Sequence, residues 1–297
     1  PLFYVIIREL LDNKVRTIEE IEKQYKIPIL GAIGRKIGGN NLVVFERPKS
    51  TISESFRALR ANVQFLFKTD IHSSKRSKTL VLTSTVSGEG KTMISINMAT
   101  VFALSGKKTV LIGMDLRKPK IFDDFELNND TGVVNYLINQ KTISEITNKT
   151  KIPNLDVILS GPIPPNPSEL LISEACDRFI QELEKEYDYI VIDTAPVGLV
   201  SDALELFKYA DATCYVVRLD YSERGMINMI DNKYVNREVS NISYIFNDLK
   251  VKSKRGYGYG YGYGYGYSEV YGNGYHENDE PETTLFKKIT SFIKPKK

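Results

Sequence analysis

The sequence predicts an α/β fold, a mainly parallel sheet with helices on both faces, on two observations. Short β-rich runs recur at 79–83, 109–112, 155–159, 189–192, 214–219 and 242–246, with helical or mixed segments between them. Such alternation builds parallel sheets, because parallel strands are joined by crossovers that lay helices over the sheet. The second is size: 297 residues at 42% hydrophobic content can bury a substantial core. Folds of this class bind ligands beyond the C-terminal ends of their strands, so the loops there are where chemistry is expected.

The net charge of +3 gives no global electrostatic case for nucleic acid, and none is expected as a partner. Cys176 and Cys214 are far apart and lack His or Cys partners at ligand spacing, which fits a reducing compartment better than a disulfide framework.

Four segments are expected along the chain. Residues 1–50 read as a membrane-proximal stub and connecting arm. Their opening "PLFYVII" is apolar but far short of the ~20 residues that span a bilayer. It reads either as an ordinary buried segment or as the end of a transmembrane helix lying upstream, and the mixed "RELLDNKVR" that follows suits a cytoplasmic side. A charged helical pattern, "TIEEIEKQYK", then precedes "IPILGAIGRKIGGNN", whose Pro and Gly residues predict broken structure. Residues 51–250 read as the globular domain. Its first helix, "SESFRALRANVQFLF", sets Phe56, Leu59, Val63 and Leu66 on one face, with Ser53 as the expected N-cap. Residues 251–276 form a Gly/Tyr-rich tail, expected to be disordered, and residues 277–297 an acidic, then basic, extension.

Strand "TLVLTS" runs into "TVSGEGKT" and then "MISINMATVFALSG", the strand, glycine loop and helix of a P-loop. The class is therefore that of P-loop NTPases, and the run Ser87, Gly88, Glu89, Gly90, Lys91, Thr92 and Met93 is the expected nucleotide-binding segment. Gly88 and Gly90 let backbone amides approach phosphate oxygens at the positive end of the following helix. Lys91 is placed to reach the β- and γ-phosphates and Thr92 to offer its hydroxyl to Mg2+. One departure is Thr85, where the pattern has its first glycine.

Two strand-end carboxylates join this loop. "YIVIDTAP" ends in Asp193, where a Walker B acid sits, and "VLIGMDLRKP" ends in Asp115, followed by Arg117. The cofactors expected are ATP and Mg2+. Lys91 and Asp193 are the expected catalytic residues, and Thr92 and Asp193 the metal-holding ones. Asp115 is also suited to accept the proton of an incoming hydroxyl.

Five features in order resemble the bacterial tyrosine kinases of exopolysaccharide and capsule assembly: the E-x-x-R-x-x-R helix at Glu54, Arg57 and Arg60, the P-loop, Asp115 with Arg117, Asp193, and a C-terminal tyrosine cluster. The resemblance implies a protein-tyrosine kinase whose acceptors are the tail tyrosines of a neighbouring subunit, Tyr257, Tyr259, Tyr261, Tyr263, Tyr265, Tyr267, Tyr271 and Tyr275. It implies an octameric ring held through Glu54, Arg57 and Arg60 and dissolved by phosphorylation. It also implies a transmembrane polysaccharide co-polymerase segment, upstream or in a partner, an opposing tyrosine phosphatase, and a place at the cytoplasmic face of the bacterial inner membrane. The resemblance further implies that Asp115 joins Asp193 in metal binding and in catalysis, with Gly113 standing where the family often has a further acid.

The tail itself, "RGYGYGYGYGYGYSEVYGNGY", reads best as substrate, since glycine supplies flexibility and tyrosine supplies acceptors. Each phosphate adds about −1.5 to −2 charge, so several would repel one another. A sticky low-complexity segment is the compositional alternative. In "LFKKITSFIKPKK", Leu285, Phe286, Ile289, Phe292 and Ile293 share a helical face among lysines, which suits docking on an anionic membrane surface or packing on the domain itself. Rival functions are a nucleotide-gated, non-catalytic assembly module and a partition-type P-loop ATPase. The second carries a signature lysine where this chain has Val86. Asn247, after a strand, is a weak candidate for adenine contact.

Overall fold

Eight strands form one sheet among the described residues of the computed structural model, which are 12–36, 38–67, 77–198 and 202–250. They are β1 Ile29–Gly34, β2 Lys78–Ser84, β3 Thr109–Gly113, β4 Thr147–Lys149, β5 Leu155–Ile158, β6 Tyr189–Asp193, β7 Ala212–Arg218 and β8 Ile242–Leu249. Their order is β1-β8-β7-β2-β6-β3-β5-β4, parallel throughout except for β4, which runs antiparallel along β5. All six expected strands are present.

Side chains alternate between two buried faces, as the period of two requires. Leu80, Leu82, Val191 and Val216 pack against Phe56, Leu59 and Val63 of the Thr51–Leu66 helix and Ile94, Met98 and Phe102 of the Lys91–Ala103 helix. Their neighbours Val81, Ile190 and Ile192 pack on Phe179, Ile180 and Leu183 of the Glu174–Glu186 helix. Tyr215, Val217 and Phe246 continue that face onto Ile227 and Ile230 of the Arg224–Val235 helix. A core aromatic such as Phe56, fully buried, contributes enough that truncation to Ala costs about 3–5 kcal/mol.

Two features differ from expectation. Residues 29–34, within the stretch read as a connecting arm, form β1 and pair in parallel with β8. Pro28 sits just before the strand, where its carbonyl accepts from Tyr244 N at 2.8 Å and its missing N–H costs nothing. The preceding residues are tied down as well: Asp231 Oδ1 accepts from Lys26 N at 2.7 Å and Ile27 N at 2.9 Å. The N-cap of the Thr51–Leu66 helix is Ser50, not Ser53; the Ser50 side chain accepts from Ser53 N, while Ser53 Oγ donates to Arg47 O at 2.7 Å. Both serines satisfy the chemistry of a cap, and the fold selects the earlier one.

The topology puts β2 at the middle of the sheet, with β6 and β7 on either side. Its C-terminal end opens into the P-loop. Among the described residues, no helix is long and apolar enough to cross a membrane. The N-terminal stub, the tyrosine tail and the extension at 277–297 lie outside the described residues.

Candidate active site

Gly88 and Gly90 adopt left-handed backbone conformations, with φ of 95° and 94°. This is the region where only glycine is free of a side-chain penalty. Close packing adds a second reason. A Cβ on Gly90 would lie 2.0 Å from Asn247 Nδ2, and one on Gly88 would lie 2.8 Å from the Tyr221 hydroxyl. The position occupied by Thr85 takes no left-handed φ, so glycine is not needed there.

The loop is clasped from outside by the end of β7, the turn after it and β8. Arg218 Nη1 donates to Gly88 O at 2.9 Å, and the Tyr221 hydroxyl donates to Ser87 O at 2.9 Å. Asn247 Nδ2 donates to Glu89 O at 2.8 Å, so its amide braces the loop. Glu89 is wholly buried: Val86 N donates to its Oε2 at 2.8 Å, and the Ser222 hydroxyl donates to its Oε1. Burial holds its carboxyl above the ordinary carboxylate range, partly offset by those hydrogen bonds. The Glu89 side chain therefore serves the loop's architecture.

Lys91 begins the helix after the loop, and its Nζ donates to Asp193 Oδ1 at 2.6 Å. Thr92 Oγ1 donates to Asp193 Oδ2 at 2.9 Å, and Ser95 Oγ donates to Oδ1 at 2.8 Å. With Lys91 7% and Asp193 3% exposed, this ion pair is largely withdrawn from water. Such a pair persists only with its remaining lone pairs satisfied, which Thr92 and Ser95 accomplish. Ser95 escaped the sequence reading, although it lies one helical turn beyond Lys91.

Asp115 follows β3, beside β6, where Met114 N donates to Asp193 O at 2.8 Å. Its Oδ1 accepts from Lys118 N at 2.9 Å and Arg117 N at 3.3 Å, which fixes the turn. Position 113 offers no carboxylate, and a Cβ there would stand 3.3 Å from Ser160 N. One cleft of about 360 Å3 is lined by Ser87 to Met93, Asp115, Arg117, Lys118 and Lys120, among others. It unites the expected nucleotide segment with Asp115, one of the expected catalytic acids, and Asp193 lies just beneath through its bonds to Lys91 and Thr92.

Glu54, Arg57 and Arg60 lie together on the Thr51–Leu66 helix, away from this cleft, and have partners within the chain. Arg57 pairs with Glu54 and donates to Pro48 O at 2.6 Å, and Arg60 Nη1 donates to Val101 O at 3.1 Å. The tail tyrosines lie outside the described residues. Ser222, Tyr221 and Arg218 carried no local signal, since they join the loop only through the sheet.

An AAA domain profile matches residues 77–241. The chain is 36% identical over 184 residues to the tyrosine-protein kinase YwqD of Bacillus subtilis, covering 62% of this chain and 76% of that protein. It is 27% identical over 264 residues to the tyrosine-protein kinase ptk of Acinetobacter johnsonii, covering 85% of this chain but 35% of the relative. The solved kinase domain of the Escherichia coli tyrosine kinase ETK superposes with a TM-score of 0.70 at 26% identity, covering 83% of this chain and 100% of that one. With a P-loop joined to Asp193 and facing Asp115, and with this likeness to YwqD, the chain belongs to the bacterial protein-tyrosine kinases.

Proposed function

We propose that this chain transfers the γ-phosphoryl group of ATP, in the presence of Mg2+, to tail tyrosines between 257 and 275 of a neighbouring copy. The observation that carries this reading is the convergence of Lys91, Thr92 and Asp115 on one cleft above Asp193. The residues fit the ligands. Gly88 and Gly90 place no side chain of their own before the loop amides, and a hydroxyl with two carboxylates is the hard oxygen set that Mg2+ takes. Thr92, Asp115 and Asp193 would hold the metal, which supplies neutralisation of phosphate charge.

Lys91 and the loop amides stabilise the negative charge that spreads over the transferred group. The tyrosine oxygen forms a bond to the γ-phosphorus as the bond to the bridging oxygen breaks. ADP leaves, and the phenol proton passes to Asp115. To take part, Lys91 exchanges its bond to Asp193 for phosphate oxygens.

The tail at 251–276 is then an autophosphorylation segment and the ring a product of the Glu54, Arg57 and Arg60 helix. Phosphates accumulating on the tail drive subunits apart by repulsion. The capsule or exopolysaccharide machinery, a membrane co-polymerase segment, a tyrosine phosphatase and the cytoplasmic face of the inner membrane complete the setting.

A mixing experiment tests transfer between copies. Wild-type chain is incubated with Mg-ATP and 15N-labelled Lys91→Met chain. Phosphotyrosine on the labelled tail is expected. A labelled tail that stays unmodified while the wild-type tail gains phosphate would contradict transfer between copies, and no phosphotyrosine on either, despite bound ATP, would favour the nucleotide-gated assembly module.

A further inference from the structure

The cleft has one strongly charged wall apart from the P-loop. Arg117, Lys118 and Lys120 line it on the β3 side, two strands away from the P-loop of β2, and all three are exposed. Arg117 Nη2 donates to Ser168 Oγ at 3.0 Å, which holds one member of the group in place. Among the described residues, no acidic side chain pairs with Lys118 or Lys120. The acids of the cleft do not neutralise them: Glu89 is wholly buried, and Asp115 faces the backbone amides of Arg117 and Lys118.

The sequence carries a matching anion. Beyond Tyr275 comes "HENDEPE", with Glu277, Asp279, Glu280 and Glu282. These acids lie two to seven residues beyond the tyrosine. Asp115, Arg117, Lys118 and Lys120 line one cleft, so a phenol brought to Asp115 brings the acids that follow it beside the rim. The early tyrosines, 257–267, alternate with glycine and have no acid among them. The tether is long: 24 residues lie between Lys250 and Tyr275, and an extended chain spans up to about 3.5 Å per residue.

We propose that Arg117, Lys118 and Lys120 form a docking rim for the acidic segment at 277–282 of the tail, which makes Tyr275 and Tyr271 the first acceptors. The proposal rests on the tail-kinase reading and adds to it a substrate preference: tyrosines followed by a cluster of carboxylates. The rim acts in capture, so its effect falls on KM for the acceptor. Exposed ion pairs are individually weak, and two or three together supply a factor of about five to ten. Salt weakens the preference, because the groups are in water.

The test uses the full chain with Mg-ATP and two peptides spanning residues 268–283. One is native, and the other carries Glu277→Gln, Asp279→Asn, Glu280→Gln and Glu282→Gln. The native peptide is expected to show a KM about fivefold to tenfold lower, with kcat similar for both. The Lys118→Glu/Lys120→Glu chain should lose that preference and regain it for a peptide with lysine at the four acidic positions. KM for ATP is followed in parallel. Equal KM values for the two peptides, or a charge-reversed chain altered in KM for ATP alone, would overturn the rim while leaving the kinase reading intact. Label on the chain's own tail but on neither peptide would also overturn it. Absence of label everywhere would instead remove the kinase reading on which the rim rests.

Discussion

Lys91 Nζ lies 2.6 Å from Asp193 Oδ1, with both side chains nearly withdrawn from water. The residue that should stabilise phosphate thus also neutralises the acid that should hold the metal. Removing it strands a buried carboxylate. Lys91→Met is expected to lower the stability of the unliganded chain by about 3 kcal/mol, while Lys91→Met/Asp193→Asn recovers part of the loss. Urea denaturation of the three proteins checks this, and unchanged stability of the single variant would show the pair to be solvated. The usual inactive control therefore needs its own folding measurement.

Gly90 and Asn247 should behave as a coupled pair. Gly90→Ala forces a left-handed residue to carry a side chain and drives its Cβ into the Asn247 amide, whereas Asn247→Ala forfeits the bond to Glu89 O for about 1 kcal/mol. The double variant is expected to cost less than the sum, because the collision is gone and only the backbone strain remains. A thermodynamic cycle from urea melts reads the coupling directly, and strict additivity would contradict the brace.

Glu89 predicts a pH signature. Its folded-state carboxyl titrates above the ordinary value near 4.5, because burial disfavours the charged form. The associated stability is present below that ordinary value and declines as pH rises through the folded one. Glu89→Gln, which resembles the protonated form, should therefore gain stability relative to wild type as pH rises from 4.5 upward. Paired denaturation curves at acidic, neutral and mildly basic pH check the trend, and a constant difference would contradict it.

Asp231 should control docking of the segment before β1. Its Oδ1 accepts two backbone N–H groups, and Ile27 is buried. Asp231→Ala leaves a buried donor unsatisfied, at a cost of about 1–3 kcal/mol. Hydrogen exchange at Lys26 and Ile27 should accelerate more than at Val191 in the central sheet. Uniform acceleration would indicate global destabilisation instead.

The central sheet was legible because β2, β3, β5, β6, β7 and β8 are short apolar runs with unambiguous flanks. β1 was not, since Pro28, Gly31 and Gly34 read locally as breakers and only pairing with β8 makes them a strand. The P-loop, Asp115 and Asp193 were legible because each depends on adjacent residues at a strand end. The clasp was hidden for the opposite reason: Ser222 and Glu89 are separated by 133 positions and meet only after β7 has been laid beside β2. Asn247 carried a weak signal as a strand-end polar residue, and its geometry shows a loop brace.

The most direct measurement of the central claim is the intact mass of the full chain after incubation with Mg-ATP, with peptide mapping of residues 251–276 and a Lys91→Met control whose folding has been verified. Successive additions of single phosphates on the tail tyrosines, absent from the control, are the predicted result. An unmodified tail in a chain that binds ATP, or equal modification of the control, would contradict the assignment of the cleft as the site of tyrosine phosphorylation.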